Sequence, residues 1–188
     1  MTARKRFGKS DWLALGLEQL AREGSPGLTV EALCKTAGRT RGSFYHHFAD
    51  HEAFVDALME AWKQKNTIDV TEETLKQETP VRAKKLAVLA IGLDHALEHA
   101  VRQFAQGNAA VQNTVRDVDG IRTRFIAGLY ESDGLDSDLA LEIAKIEYAA
   151  FVGAQIVWPD MPAEERLALD NRFASMVKAA LQPSSSQE

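Results

Sequence analysis

The sequence predicts an all-α protein with a small N-terminal head and a larger helical body. Apolar residues recur at intervals of three to four along most of the 188 residues, which is the spacing of helices that bury one face. No segment alternates apolar and polar residues for long enough to predict a strand. Glycine, proline and capping residues divide the apolar stripes into about nine helices.

The composition is that of an ordinary globular protein, with 45% hydrophobic residues. No run of 18 apolar residues occurs, and the N-terminus lacks the apolar core of a signal peptide, so we expect a cytoplasmic protein that does not enter a membrane. A single cysteine, Cys34, cannot form an internal disulfide. We expect it to be packed in the protein and not reactive.

Charge is distributed unevenly along the chain. The net charge of −5 alone argues against nucleic-acid binding, but residues 1–48 carry +4 and the remaining 140 carry −9. A basic head attached to an acidic body is typical of a protein whose first part approaches phosphates.

Ser10 is predicted to cap the first helix, which the glycines and proline of residues 24–27 then break. Four basic residues precede Ser10 and form an arm: Arg4, Lys5, Arg6 and Lys9. Such an arm either reaches a DNA minor groove or remains a solvated tail, and the sequence leaves both alternatives open.

Residues 29–52 are predicted to form a helix-turn-helix. Thr29 caps a short helix, and Gly38 follows where a left-handed residue would end it. A second helix starts from Thr40, and Phe44 and Phe48 form its inward pair at a spacing of four residues. Its other face carries hydrogen-bonding and cationic side chains that suit a DNA groove: Arg39, Thr40, Arg41, Ser43, Tyr45 and His46.

The body is predicted to consist of amphipathic helices. Asp50 caps the helix of Phe54, Leu58 and Trp62, which either ends near Lys65 or continues partly exposed. A stripe from Leu86 to Phe104 follows Pro80, with a break near Gly92. Further helices are predicted over 111–129, 136–158 and 163–181.

The segment AGRTRGSFYHHFADHEAF resembles the signature of TetR/AcrR-type transcriptional regulators, and the resemblance extends over about Phe7 to Trp62. In that family an alanine-glycine turn precedes a recognition helix that ends in tyrosine, histidine and phenylalanine. The segment HALEHAVRQFAQGNAAVQNTVRDVDGIRTRFIAGL is similar to the bodies of many such proteins, but this match is less specific and names no ligand.

The resemblance implies a role for each matching residue. Arg41, Gly42 and His46 would lie near bases, whereas Thr29, Ser43 and Tyr45 would hold the DNA backbone. Two positions depart from the family. Arg39 stands where the family is usually apolar and could contact DNA instead of filling the turn, and His51 stands where lysine is common, which would weaken one phosphate contact.

The resemblance also implies a small-molecule pocket in the body. Six aromatic residues are candidates for its lining, with plain core packing as the alternative: Trp62, Phe104, Phe125, Tyr148, Phe151 and Trp158. Tyr148 is the favoured polar contact for a ligand. His95 and His99 are spaced four residues apart, but a tight metal site needs a third ligand, so we predict no metal, no cofactor and no enzymatic activity.

The last two helices carry apolar residues on more than one face, and we expect them to form a homodimer interface. The predicted domains are a helix-turn-helix DNA-binding domain over 1–49, a helical effector-binding and dimerisation domain over 50–182, and a flexible tail over 183–188. The predicted function is a ligand-responsive repressor that binds a palindromic operator as a dimer. The alternatives are a DNA-binding accessory protein without an effector, or a helical interaction scaffold that does not bind DNA.

Overall fold

Helices account for nearly all of the regular structure. The structure is a computed structural model that describes residues 7–181, and it contains no strand within them. The helices are α1 (Lys9–Glu23), α2 (Val30–Ala37), α3 (Arg41–Tyr45), α4 (His51–Lys63), α5 (Asp69–Leu75), α6 (Thr79–Ile91), α7 (His95–Gly107), α8 (Ala109–Ser132), α9 (Ser137–Val157) and α10 (Ala163–Leu181). The predicted all-α class is confirmed. Arg4, Lys5 and Arg6 of the predicted arm, and the tail over 183–188, lie outside the described residues.

The sequence left the end of the fourth helix open, and the structure shows that the helix continues. A π-helical turn, Gln64–Ile68, joins α4 to α5 without an interruption. With α4, the π turn and α5 counted as one helix, residues 7–181 contain nine α-helical segments and a 3-10 turn, Ser25–Leu28, in line with the predicted number of helices. Asn66 and Thr67 of the π turn are buried, which explains why the apolar pattern fades here although the chain remains packed.

Capping residues begin several helices where the sequence placed them. Thr29 accepts a hydrogen bond from the Ala32 amide at 3.2 Å, and Asp50 accepts one from the Ala53 amide at 2.7 Å. The prediction for Ser10 is wrong. The capping position of α1 is Gly8, two residues earlier, where the Gly8 amide donates to the Asp11 carboxylate at 2.7 Å and thereby fixes the N-terminus of the helix.

The predicted break near Gly92 is confirmed. Helix α6 ends at Ile91, and the Asp94 carboxylate caps α7 by accepting a hydrogen bond from the Leu97 amide at 3.1 Å. Two shorter helices therefore replace the single long stripe that the leucine spacing indicates.

The described residues pack into two compact units. The first contains residues up to 68 together with 94–119, and a continuous apolar core in which Trp12, Phe44 and Trp62 are fully buried. Helix α1 crosses α4 closely at Gly16, where an added Cβ would lie 2.8 Å from Leu58 Cδ1. Only a glycine fits this crossing without displacing its neighbours.

The second unit contains residues 69–93 and the described chain from 120 onwards. Its buried cluster is small, consisting of Ile126, Ala127, Ala144 and Tyr148. The predicted domain boundary between 49 and 50 remains a prediction, since compactness of packing does not define a functional head. None of the described helices combines the length and the apolar character needed to cross a lipid bilayer.

Candidate nucleic-acid interface

The turn between α2 and α3 is built from local signals. Gly38 adopts the left-handed conformation, with φ of 60° and ψ of 41°, which carries little steric cost only because glycine has no Cβ. The Arg39 amide then donates to the Cys34 carbonyl at 2.9 Å and closes the end of α2. Thr40 caps α3 by accepting a hydrogen bond from the Ser43 amide at 3.3 Å.

Two phenylalanines anchor the second helix to the core. Phe44 is 0% exposed and Phe48 is 3% exposed. The ring of Phe44 meets Trp12 of α1 edge-on at 5.4 Å and lies 5.2 Å from the ring of Phe54 in α4. Helix α3 itself ends at Tyr45, but the amide of Phe48 still donates to the Phe44 carbonyl at 3.1 Å, so the inward pair is preserved beyond the end of the helix.

The opposite side of α3 is polar and accessible. Arg41, Gly42, Tyr45 and His46 are exposed, and Tyr45 is 50% exposed although its ring makes a T-shaped contact with Phe44. The capping residues Thr29 and Thr40 are also exposed, and Ser43 is half-buried. These predicted site residues therefore lie on α3, at its C-terminal cap, or at the N-termini of α2 and α3, and most of them are accessible to a partner.

Arg39 is directed towards the protein core. Its guanidinium group lies 5.3 Å above the ring of Phe7, and its Nε is buried without a hydrogen-bond partner. Phe7 in turn packs edge-on against Trp12 at 5.0 Å. The long side chain of Arg39 therefore packs on an aromatic ring next to the core, and its contact with DNA remains a prediction.

His51 also has a partner within the protein. Its Nε2 lies 2.9 Å from the carbonyl oxygen of Leu28, a contact that joins the start of α4 to the turn before α2. This contact occupies one ring nitrogen, so only the remainder of the exposed ring can approach a phosphate. The predicted phosphate contact of His51 stays a prediction.

Glu31 is a residue of this surface that the sequence analysis did not single out. Its Oε2 lies 3.7 Å from Nη2 of Arg41, and both side chains are largely exposed. Beneath them, burial raises the pKa of the Cys34 thiol, and the positive charge of Arg41 partly opposes this shift. The only signal in the sequence is that Glu31 is the sole acidic residue between Gly24 and Ala49.

The residues predicted to line a pocket have different environments. In the first unit, Trp62 is fully buried and donates from its indole nitrogen to Glu98 at 2.9 Å, and Phe104 packs against the same core. Glu98 is only 1% exposed and also accepts from the amide group of Asn66 at 2.9 Å. Sequence reasoning missed this buried carboxylate, because nothing in the spacing of α7 distinguishes it from a solvated glutamate.

In the second unit, Tyr148 is buried, and Phe151 packs against the same small cluster. The Tyr148 hydroxyl accepts a hydrogen bond from Nη1 of Arg122 at 3.5 Å. Phe125 is half-buried, whereas Trp158 is 54% exposed. A pocket lined by these residues remains a prediction.

A neighbouring group of polar side chains was also missed. The Tyr130 hydroxyl donates to the Glu147 carboxylate at 2.5 Å. Burial raises the pKa of Glu147 and that of Asp170 on α10, and it also raises the pKa of Tyr130.

One histidine of the α7 pair contacts a side chain of its own helix. The Nε2 atom of His99 lies 3.3 Å from the side-chain nitrogen of Gln103. Within the described residues, no group of three or more His, Cys, Asp or Glu side chains is arranged to hold a metal ion.

The head matches a known family in sequence. Residues 13–58 match the family model described as bacterial regulatory proteins, tetR family. This match supports the resemblance to TetR/AcrR-type regulators over the head. The match covers α1 from residue 13 onwards, all of α2 and α3, and the first part of α4, so it includes the whole helix-turn-helix described above. No functionally curated protein matches the chain in sequence.

Solved structures extend the TetR-family likeness to the whole fold. A TetR transcriptional regulator from Legionella pneumophila has a TM-score of 0.69 and 16% identity, with 96% of this chain and 97% of that chain covered. An AcrR-family transcriptional regulator from Aquifex aeolicus VF5 has a TM-score of 0.67 and 14% identity, covering 92% and 99%. The ketosteroid transcriptional regulator KstR2 of Mycobacterium tuberculosis has a TM-score of 0.59 and 19% identity, covering 96% and 95%. At these identities the likeness shows the fold alone.

Proposed function

We propose that this protein is a sequence-specific DNA-binding regulator that acts as a dimeric, ligand-responsive repressor. The observation that carries the proposal is the division of α3 into two sides. Phe44 and Phe48 are buried. Arg41 and Tyr45 are exposed on a short helix whose start is capped by Thr40, and His46 is exposed directly after it. A helix held in this way presents its first residues to a major groove.

Each exposed residue has a chemical role in this proposal. The guanidinium group of Arg41 can donate two hydrogen bonds to O6 and N7 of a guanine. Gly42 allows the backbone of α3 to approach the bases, because no side chain stands between them. Thr29, Ser43 and Tyr45 carry hydroxyl groups that can donate to phosphate oxygens and so position the head on the duplex.

The proposed dimer rests on apolar surface in α9 and α10. Ile146 is 60% exposed, Ile156 is 54% exposed and Met176 is 63% exposed, although all three are large hydrophobic residues. Exposed apolar residues on two long helices favour a helical interface with a second copy of the chain. Two heads related by a twofold axis would then read a palindromic operator, with half-sites about one helical turn apart.

The proposed effector site lies among the helices of the body. Tyr148 supports it, because its hydroxyl is held by Arg122 next to an apolar cluster, and such a polar group can orient a small molecule. The effector must prefer the form that does not bind DNA. To lower the affinity for the operator a thousandfold, the effector must bind the form that does not bind DNA about 4 kcal/mol more favourably than the form that does. Such a regulator would act in the cytoplasm, where its operator is.

The proposal is tested first by selecting the duplexes that the purified protein retains from fragmented genomic DNA, followed by mobility-shift titration of the recovered sequence. We expect enrichment of a palindrome. Gly42→Val should abolish binding to that palindrome and leave the circular dichroism spectrum unchanged, because an added Cβ at Gly42 would meet only Thr40 Oγ1 at 3.8 Å. Retention of random sequence, or full affinity of the Gly42→Val variant, would contradict the assignment of α3.

The effector is tested separately by thermal shift against a metabolite library, since a compound that binds only the folded protein raises Tm with its concentration. A compound that raises Tm and also releases the palindrome supports the ligand-responsive form of the proposal. A protein that binds its operator while no compound shifts Tm would favour the accessory protein without an effector. A protein that retains no DNA at either low or moderate salt would favour the interaction scaffold.

A further inference from the structure

An ion pair links the two helices of the helix-turn-helix on their exposed side. Glu31 lies in the first turn of α2 and Arg41 is the first residue of α3, and their Oε2 and Nη2 atoms are 3.7 Å apart. The two side chains are 83% and 68% exposed, respectively. Exposed ion pairs of this kind contribute little to stability. A role for this pair must therefore come from its position on the proposed DNA-binding surface.

Its position is unusual for a carboxylate. The first 48 residues contain four acidic residues, and the other three, Asp11, Glu18 and Glu23, all belong to α1. Glu31 alone stands beside the residue proposed to read a base. A carboxylate at a DNA surface is repelled by every phosphate, so its presence lowers the affinity for DNA of any sequence unless a specific contact offsets the cost.

We propose that Glu31 is a specificity-determining residue that holds Arg41 and makes binding to non-cognate DNA unfavourable. The inference rests on the proposed DNA-binding function. On non-cognate DNA, Arg41 leaves Glu31 only to meet a phosphate, and the carboxylate loses its partner next to a polyanion. On the operator, Arg41 gains both acceptors of a guanine, and the carboxylate of Glu31 can accept a hydrogen bond from a cytosine amino group. The charge of Glu31 therefore costs more on the wrong sequence than on the right one.

The experiment uses Glu31→Gln in the full chain, which keeps the size of the side chain and removes its charge. The matched control is Glu18→Gln. Glu18 is also an exposed acid of the head with an arginine partner, since its Oε1 lies 3.5 Å from Nη1 of Arg22, but both residues of that pair belong to α1. The two variants change the net charge equally, and only one of them releases Arg41.

Affinity is measured for the selected palindrome and for a duplex of equal length with scrambled half-sites, at two salt concentrations. Glu31→Gln should bind the scrambled duplex about tenfold more tightly while its affinity for the palindrome changes much less, so the specificity ratio falls about tenfold, as for the loss of one base contact. Glu18→Gln should leave the ratio unchanged. In an Arg41→Gln background, Glu31→Gln should no longer change the ratio, because the residue that it holds is absent.

The inference is overturned if Glu31→Gln leaves the specificity ratio unchanged, if Glu18→Gln lowers the ratio as much, or if the fall in the ratio persists without Arg41. Failure of the proposed DNA-binding function would give a different result. The wild-type protein itself would then select no palindrome, and no specificity ratio could be measured for it.

Discussion

The helix-turn-helix and the last two helices differ in the type of side chain that they leave exposed. In α3 the Phe44 ring is buried, whereas Arg41, Tyr45 and the following His46 are exposed. In α9 and α10 large hydrophobic residues remain outside, with Ile146 and Met176 each at least 60% exposed. The first surface leaves its phenylalanine anchors buried, and its exposed hydrogen-bonding and cationic groups can bind a polar partner. The second has apolar area that folding of one chain leaves uncovered, which is why we infer that another copy covers it.

Removing the aromatic anchor of α3 should have the largest effect. Phe44→Ala should lower the free energy of unfolding by about 3–5 kcal/mol, because it leaves a cavity among Trp12, Phe48 and Phe54. Urea unfolding followed by circular dichroism measures this loss. Phe44→Leu keeps most of the volume and should cost much less. Equal stability of the wild type and Phe44→Ala would show that α3 is not held by this core.

A charge on the apolar side of α10 should break the proposed dimer without unfolding the chain. We expect Met176→Asp to weaken dimerisation by about 2–4 kcal/mol, the range of a central interface residue. Sedimentation equilibrium measures the change. Gln112→Asp adds the same charge at an exposed position of α8 and should leave the dimer intact. If Met176→Asp stays dimeric, the interface lies elsewhere, and a monomeric wild type would remove the proposed symmetry of the operator.

Substitution of Arg41 tests the polar, exposed side of α3. Arg41→Ala should cost about 1–3 kcal/mol on the operator and relax the preference at one base pair, whereas Tyr45→Phe should weaken all DNA about equally through the loss of one phosphate contact. Competition binding with operators that vary at single positions separates the two patterns. Full operator affinity in both variants would exclude α3 as the recognition helix.

The smallest expected effect is a pH dependence in the second unit. Burial raises the folded-state pKa of Glu147 and of Asp170 above their unfolded values, near 4.5 and 3.8. A raised pKa means that the folded state binds these protons more tightly, so their contribution to stability is greatest at acid pH and is lost as pH rises through the raised values. Stability should therefore increase as pH falls from neutral towards 5.

Glu147→Gln should reduce this pH dependence, because it removes one of the two titrating groups and leaves an oxygen that can still accept from Tyr130. Urea midpoints at pH 7 and pH 5 for the variant and the wild type give the comparison. A steeper dependence in Glu147→Gln than in the wild type would show that another group controls it.

The comparison also shows which features a sequence can predict. Thr29, Gly38 and Thr40 act on backbone groups within four residues of themselves, so their residue types alone predict the caps and the turn. Phe44 and Phe48 are recognisable as anchors because helical spacing brings both to one side. The same local rules failed at Ser10, since the Asp11 side chain caps the helix from within its own first turn.

Features that depend on residues far apart in the chain could not be predicted. The pairing of Glu31 with Arg41, the stacking of Arg39 on Phe7, and the contact of Trp62 with Glu98 each join separate elements, and no spacing rule specifies them. In the body, spacing predicts that α9 and α10 are helices but does not determine which of their apolar residues are buried within one chain.

The buried position of Cys34 provides an intrinsic reporter. It is the only cysteine of the chain, it is 7% exposed in α2, and burial raises the pKa of its thiol. A disulfide reagent should therefore modify it only during transient opening of α2 and α3, so the labelling rate measures how often this region opens. Saturating operator should slow that rate, which would provide a footprint of DNA on the protein without any introduced probe.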